Sequence, residues 1–484
     1  MPITRRSVLK RASALAISAV LTDGVLTGCS TGGDSGDGVT ITLSGPNQWN
    51  SKTDTFGPEW DALVAKFEAA EPNIKVKTVV LPLSSFSDTL TTELTAGTAP
   101  ELIFNQPPPS DPSLVVSLDP YLAKPNPYNQ AAATWLAGFN KDAYGDAQRD
   151  AAGHLYYVPF NLVTTGLFYN KEIFDKLRIK TPIAGIGDFL EACDTLSQAG
   201  YTPLAMDNGL LGTGWTAETL LSNLLHKYGD AWNVYGADGK AGTAATLTNK
   251  SLAHAILTGK LNATTNPEVA EAVKLLKEIF TRGATKNWTG VASSATFVGG
   301  EEFLAGKAAM AWGTNFVISN FSQVSWKWSS MPFPTVTTSD TSLADGSAAR
   351  YGAVAGGTSY MIPATMTGEK LDAAITFLQF ATSPQGNGTW VAATNAIPAT
   401  SDVSTAAAGL HDLLSGEWAK PRLVNIGSNA PSAESGSNRW EGYLLGTRSL
   451  EKQLKYLQDG WVGWAKEIVK SAKLTDDWAT HPTV

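Results

Sequence analysis

The amino-acid sequence predicts an α/β protein whose sheets are open, mostly parallel and flanked by helices. Strand-like and helix-like patterns alternate through the first third of the chain, with no internal repeat. A chain of 484 residues exceeds what one hydrophobic core normally organises, so we expect at least two domains. The 43% hydrophobic and 17% charged residues are typical of a globular protein.

The first five elements are predicted from the period of their apolar residues. Alternation predicts a strand, and apolar residues at i, i+3, i+4 and i+7 predict a helix. The elements in order are a strand over 39–43, a helix over 60–67 after Pro58, a strand over 74–81, a helix over 86–94 that stops at Gly97, and a strand over 102–104. Strands that alternate with helices imply crossover connections and parallel pairing.

Polar and aromatic residues follow two of these strands. Asn47, Gln48 and Trp49 come after the first strand, and Asn105 and Gln106 come after the third. Because ligands bind beyond the carboxyl ends of strands in open α/β sheets, we expect these residues to line one crevice.

The strand and helix patterns resume later in the chain. The predicted elements are strands over 155–160 and 167–169, a helix opened by Asp188 with Glu191 three residues on, a helix from Asn266-Pro267 to Gly283, a helix through 371–378 and a helical region over 443–468. The small polar residues of 337–349 and 425–438 predict loops.

The N-terminus has the composition of a bacterial export signal. A basic head precedes an apolar run over 12–20, and small residues precede Cys29. The Gly28-Cys29 junction resembles a lipobox, and residues 4–10 resemble a twin-arginine pattern. We therefore expect a signal over 1–28, lipid modification of Cys29 and a flexible tether over 29–38. An uncleaved membrane helix is the alternative, but Asp23 and Gly24 interrupt the roughly 20 apolar residues it needs.

Composition argues against several classes of function. The net charge of −8 disfavours nucleic acid and broad binding to anionic lipid. Cys193 has no partner once Cys29 is modified, and its place on the apolar face of a helix predicts a buried, inert thiol. The five histidines are scattered without metal-ligand spacing, so we expect neither a metal nor a cofactor.

Tryptophan is unusually frequent, at 15 residues. Trp49, Trp215, Trp312 and Trp440 have polar or glycine-rich sequence neighbours. Such surroundings favour positions on binding loops. For each residue, packing in the core is the alternative.

Segments spread over almost the whole mature chain resemble the sugar-binding family of bacterial extracellular solute-binding proteins, which serve ABC importers. The matching segments are 67–76, 95–101, 157–160, 169–174, 303–310, 331–334, 356–358 and 377–384. Two departures are Glu101, where aspartate is usual, and residues 185–187, which replace a Thr-Trp pair.

The resemblance implies two α/β lobes joined by a hinge, each a mostly parallel sheet flanked by helices. It places lobe 1 at 39–156 plus 331–396 and lobe 2 at 157–330 plus 397–484. It places the three crossings between the lobes near 155–160, 329–333 and 396–399.

The resemblance also implies a ligand site between the lobes. An indole can cover the apolar face of a pyranose, while amide, carboxylate and guanidinium groups satisfy its hydroxyls. The ligand-binding residues that it implies are Asn47, Gln48, Trp49, Asn105, Gln106, Phe160, Asn161, Asp207, Asn208, Trp215, Trp312, Asn315, Arg439, Trp440 and Glu441.

The function implied is therefore binding of a sugar, with an oligosaccharide favoured by the number of aromatic residues, and its delivery to membrane permease subunits by hinge closure. The protein is expected to be a monomer without enzymatic activity, lipid-anchored through Cys29 outside the cytoplasmic membrane. Two alternatives stay open: a secreted glycoside hydrolase that uses Asp207 and Glu441, and a surface lipoprotein that binds carbohydrate without transport.

Overall fold

Two mixed sheets, with a small sheet between them, organise the part of the chain that the structure describes. The computed structural model describes residues 38–47, 54–82, 85–105, 112–141, 143–145, 148–149, 154–207, 210–236, 238–290, 297–353, 355–394, 396–403, 408–426 and 436–484. The predicted signal, Cys29 and all of the tether except Gly38 lie outside these residues. Residues from Gly38 to Val484 form one compact unit.

The described strands are β1 (Val39–Pro46), β2 (Ile74–Leu81), β3 (Leu102–Phe104), β4 (Tyr157–Pro159), β5 (Asn161–Val163), β6 (Thr165–Asn170), β7 (Thr202–Ala205), β8 (Ala308–Thr314), β9 (Trp328–Met331), β10 (Ala355–Gly356), β11 (Ser359–Met361) and β12 (Ile397–Pro398).

The described helices are α1 (Pro58–Ala70), α2 (Phe86–Ala96), α3 (Asp119–Leu122), α4 (Lys171–Leu177), α5 (Ile186–Gln198), α6 (Leu210–Leu225), α7 (Gly229–Trp232), α8 (Asn249–Leu257), α9 (Pro267–Gly283), α10 (Gly300–Leu304), α11 (Gly368–Ala381), α12 (Pro384–Thr394), α13 (Gly436–Leu444), α14 (Leu450–Ser471) and α15 (Asp477–Thr480).

The first sheet has the strand order β2-β1-β3-β11-β4. The five elements predicted for the first third are all present, and β1 pairs in parallel with β2 and with β3. Helix α1 begins at Pro58, whose fixed φ suits the first turn. Helix α2 ends at Gly97, which adopts the left-handed conformation with φ of 71°. The indole of Trp60 packs edge-on against four aromatic rings of this core and donates to Thr78.

The second sheet has the order β7-β8-β6-β9, and the predicted α/β class with two sheets is confirmed. Its pairing is more mixed than the prediction of a mostly parallel sheet. Strands β7 and β8 are parallel, whereas β6 is antiparallel to both β8 and β9. Strand β6 begins at Thr165, which pairs with Thr314 at the very end of β8, so β6 runs in the opposite direction to β8.

A small sheet of β10, β5 and β12 lies where the chain passes between the two larger sheets. The predicted crossing at 396–399 contains β12, and β5 directly follows the predicted crossing at 155–160. Residues 329–331 instead pair with β6 of the second sheet, and the carbonyl of Thr335 still accepts from the amide of Ile186 at the start of α5. We therefore propose that the second crossing is at β10, which moves the lobe boundary from 331 to about 355.

Helix α5 begins earlier than the sequence predicts. Gly185, and not Asp188, occupies the cap position, and Asp188 lies in the first turn. The amide of Gly187 is satisfied by Oδ1 of Asp340, at 2.8 Å, from the loop over 337–349. Because this capping group lies far along the chain, local sequence pattern alone does not reveal it.

Cys193 lies on α5 and is buried as a free cysteine, in agreement with the prediction. Burial raises the pKa of Cys193 to about 12, so the thiol is protonated at neutral pH. The end of α9 packs close to it, since a Cβ on Gly283 would lie 3.1 Å from its sulfur.

Glu101 has a structural role that accounts for its presence before β3. Its carboxylate accepts from the backbone amide of Thr42 at 2.8 Å and from the ammonium of Lys370 on α11. Burial raises the pKa of Glu101, but the bonds from Lys370 and Thr42 outweigh burial and hold this pKa below its ordinary value.

We expect Glu101→Gln to destabilise the protein by about 1–3 kcal/mol at pH 7. A depressed pKa contributes stability above the unfolded value of about 4.3, and that stability is lost as the pH falls through the folded value. Urea unfolding at pH 7 and at successively lower pH should therefore show the difference between the two proteins shrinking with acid. Asp372→Asn, on the exposed face of α11, is the control and should follow the unaltered protein. A difference that is constant with pH would contradict this account.

Candidate ligand-binding site

The carboxyl ends of parallel strands in both larger sheets lie at the small sheet. In the first sheet, the amide of Asn105 donates to the carbonyl of Ser359, the first residue of β11, which two residues separate from β10. In the second sheet, β8 ends at Thr314 beside Thr165, just after β5. We call the region where these strand ends meet the small sheet the junction. It is bordered by the loops that the sequence predicts to bind ligand.

On the first-sheet side, Asn47 and Asn105 follow the adjacent parallel strands β1 and β3. Ser44 pairs with Ile103, so the residues after β1 and β3 reach the same edge. Both side chains are partly exposed, and Asn47 donates through Nδ2 to the carbonyl of Thr55 at 2.8 Å. Gln48, Trp49 and Gln106 lie outside the described residues.

On the second-sheet side, Asp207 and Trp215 follow β7. Asp207 is fully buried, and its Oδ1 lies 3.4 Å from where a Cβ would stand on Gly212 in the first turn of α6. Trp215, one turn further along α6, is half-buried and so keeps part of its indole accessible. Asn208 lies outside the described residues.

Asn161 and Asn315 hold the backbone of the small sheet. The Oδ1 of Asn161 accepts from the amide of Thr358 at 2.9 Å. The Oδ1 of Asn315 accepts from the backbone amide of Thr164 at 3.0 Å. The backbone amide of Asn315 donates back to the Thr164 carbonyl at 3.2 Å. Both side chains are fully buried and bind backbone groups beside the small sheet, so in this conformation they do not face a ligand as predicted.

We expect Asn315→Ala to lower the free energy of unfolding by about 1–3 kcal/mol, because it leaves the buried Thr164 amide without its acceptor. Denaturant unfolding measures this loss. Ser322→Ala, in the same 3-10 helix (Asn315–Gln323) but exposed, should change stability little. Unchanged stability together with lost ligand affinity would return Asn315 to the set of ligand contacts.

Phe160 and Trp312 belong to the hydrophobic core, which differs from their predicted place against ligand. Phe160 packs against Trp60 and Trp390, with ring centroids 5.9 Å and 5.2 Å away. Trp312 has no exposed surface, stacks on Phe333 at 5.0 Å and donates from Nε1 to Thr216. Neither ring presents a face to a ligand in this conformation.

Trp440 and Glu441 lie on α13. Trp440 is also buried in the core, whereas Glu441 is partly exposed. The side chain of Arg439 lies outside the described part of the structure. Of the tryptophans that the sequence assigns to ligand, Trp215 is therefore the one described residue whose ring is accessible.

A polar cluster beside Trp215, made of Glu218, Tyr351 and Arg422, was not predicted. The Tyr351 hydroxyl donates to Oε2 of Glu218 at 2.8 Å, and the Arg422 guanidinium lies 3.3 Å from the same oxygen. This guanidinium also lies 4.2 Å from the centre of the Tyr351 ring. The i+3 spacing of Trp215 and Glu218 on α6 was the sequence signal available for one member.

The polar cluster is tied to the junction through Gly352. The carbonyl of Gly352 accepts from the Thr164 hydroxyl at 2.7 Å. A Cβ on Gly352 would lie 1.9 Å from Nε1 of Trp418, so only glycine fits there. Trp418 in turn donates to the carbonyl of Thr165 at 2.9 Å.

Burial sets the ionisation of the cluster's phenol. The pKa of Tyr351 is raised, first by burial and then by the negative charge of Glu218. Tyr351 is therefore a neutral hydrogen-bond donor throughout the physiological range.

The described residues contain neither a membrane-spanning helix nor a cluster of metal ligands. None of the described helices combines the length and the apolar character that crossing a membrane requires. Within the same residues, no three histidine, cysteine or carboxylate side chains come close enough to hold a metal ion.

Several solved structures of low sequence identity share this fold. One is a chitin oligosaccharide binding protein, with a TM-score of 0.64 and 17% identity over 89% of this chain and 100% of that chain. Another is RafE in complex with raffinose, with a TM-score of 0.62 and 16% identity over 88% of this chain and 100% of that chain. A third is the maltose/maltodextrin-binding domain MalE from Bdellovibrio bacteriovorus bound to maltotriose, with a TM-score of 0.60 and 14% identity over 89% and 100%.

The sequence itself supports a closer assignment. No curated protein sequence matches the chain. The family model of bacterial extracellular solute-binding proteins, however, matches residues 50–388, which is more than half of the chain. By this match, and with the shared two-lobed fold, the chain belongs to the family of bacterial extracellular solute-binding proteins.

Proposed function

We propose that the protein binds a neutral oligosaccharide at the junction of its two sheets and delivers it to an ABC importer. The observation that carries the proposal is the accessible indole of Trp215 beside the polar cluster, on the edge that borders the junction. An indole covers the apolar face of a pyranose, and the polar groups beside it match the ring's hydroxyls. Of the three similar structures named above, one is a chitin oligosaccharide binding protein and the other two hold raffinose and maltotriose, which supports the same class of ligand.

The free energy of stacking alone is too small for a stable complex, so polar contacts are required as well. Burial of about 100 Å² by one indole contributes about 2.5 kcal/mol. Association costs at least about 4 kcal/mol, whereas a micromolar complex needs about −8 kcal/mol. We therefore assign hydrogen bonds to sugar hydroxyls to Asn47 and Asn105 on one side, and to the polar cluster and Glu441 on the other.

The remaining members of the predicted ligand set stay predictions. Gln48, Trp49, Gln106, Asn208 and Arg439 continue the same loops or helix as the residues above. Asp207 stays a candidate whose carboxylate would need a lobe movement to reach a hydroxyl, because it is fully buried here.

We further propose that the mature protein is a monomer anchored by lipid at Cys29, outside the cytoplasmic membrane. The basic head, apolar run and Gly28-Cys29 junction support this location. Expression of the full chain and of Cys29→Ser in a bacterial host tests it. We expect the unaltered protein in the membrane fraction with a lipid-modified N-terminus, and the variant without that modification; identical N-termini would refute the anchor.

A thermal-shift screen tests the binding proposal. Raffinose, maltotriose, chitotriose and xylotriose serve as probes, because a ligand that binds only the native state raises the melting temperature. We expect at least one to do so and to be recovered chemically unchanged after incubation. No shift with any probe would contradict saccharide binding, and cleaved sugar would replace the proposal with a glycoside hydrolase.

A further inference from the structure

The polar cluster combines a carboxylate and a guanidinium that are almost removed from water. The side chains of Glu218 and Arg422 are 10% and 18% exposed, and they form an ion pair with a nitrogen–oxygen distance of 3.3 Å. Paired charges of this kind leave the cluster close to neutral as a whole. The hydroxyl of Tyr351 also donates to Glu218, so the cluster has donors and an acceptor without a net charge.

The pair lies on the same face of α6 as Trp215. Glu218 follows Trp215 by one turn of α6, so the two side chains share a helix face. Arg422 reaches the same face from the segment whose neighbour Val424 accepts a hydrogen bond from Ser222 of α6. A sugar ring stacked on the accessible part of the indole would thus have its hydroxyls near the pair.

We propose that Glu218 sets the charge selectivity of the ligand site, so that neutral saccharides are accepted and saccharides with a carboxylate are rejected. This inference rests on the proposed function and names its ligand class more narrowly. In a site shielded from water, interactions between charges are strengthened. An acidic sugar beside Trp215 would bury its carboxylate next to a cluster that is neutral as a whole, because Glu218 already neutralises the guanidinium that could otherwise attract it.

Two reciprocal substitutions separate this role from a purely structural one. Glu218→Gln keeps the shape and an acceptor for Tyr351, but leaves the charge of Arg422 uncompensated. Arg422→Gln leaves the charge of Glu218 uncompensated instead. Loss of packing would weaken all ligands together, whereas charge selectivity predicts opposite shifts in the ratio of two affinities.

The experiment is calorimetric titration of the unaltered protein and both variants. The probes are the tightest binder among raffinose, maltotriose and chitotriose, and the same sugar with one C6 hydroxymethyl group oxidised to a carboxylate. We expect Glu218→Gln to shift the neutral-to-acidic affinity ratio toward the acidic sugar by about 10-fold or more, and Arg422→Gln to shift it the other way.

Asp194→Asn is the matched control. It removes one carboxylate from the Arg282–Asp194 pair between α5 and α9, where the closest nitrogen–oxygen distance is 2.6 Å, and should leave the ratio unchanged. Saccharide binding with the same ratio in both cluster variants would overturn the assignment alone. Failure of the unaltered protein to bind any saccharide would overturn the proposed function and the assignment together.

Discussion

Replacement of Trp312 by alanine is expected to lower the free energy of unfolding by about 3–5 kcal/mol. The indole has no exposed surface, stacks on Phe333 with an interplanar angle of 13° and donates to the buried hydroxyl of Thr216. Its removal creates a cavity in the second-sheet core and leaves that hydroxyl with one fewer partner. Denaturant unfolding of the two proteins measures the loss.

Trp312→Phe provides the control for this prediction. It keeps a ring against Phe333 but removes the Nε1 donor, so we expect a smaller loss of stability than with alanine. If Trp312→Ala instead kept full stability and only lost ligand affinity, the core position of this residue would be contradicted.

Replacement of Trp215 by alanine is expected to weaken saccharide binding by about 30-fold or more while changing stability much less. The estimate follows from the loss of about 2 kcal/mol of stacking on an accessible ring. Titration with the saccharide that gives the largest thermal shift measures the affinity, and thermal unfolding without ligand measures the stability.

Trp288→Ala is a suitable comparison for Trp215→Ala. Trp288 packs against Phe280 of α9, with ring centroids 5.2 Å apart, and is buried. We expect this variant to lose stability and to keep its saccharide affinity. Wild-type affinity in Trp215→Ala would remove this indole from the site.

Strands β1, β2 and β3 and the helices between them could be predicted because their patterns are local. Strand β2 begins and ends where its apolar residues predict, and α2 stops at the glycine that its left-handed conformation requires. The start of α5 was predicted too late because its capping group, Asp340, is 153 residues away. Mixed pairing in the second sheet likewise depends on the direction in which β6 leaves the small sheet.

The candidate site was predicted less completely, because side-chain type does not reveal orientation. Strand β8 is buried along its whole length, so polar sequence neighbours did not place Trp312 outside the core. An amide can bind a sugar hydroxyl or a backbone group, and Asn161 and Asn315 bind backbone. The polar cluster was missed because Tyr351 and Arg422 lie 133 and 204 residues beyond Glu218.

Small-angle X-ray scattering with and without a saturating saccharide tests the central claim most directly. Solute-binding proteins of two lobes close by hinge motion around ligand. We expect the radius of gyration to decrease when the saccharide identified by thermal shift is added, and to stay constant with a sugar that gives no shift. A radius of gyration that does not change with a saccharide known to bind would contradict capture of the ligand between the two lobes.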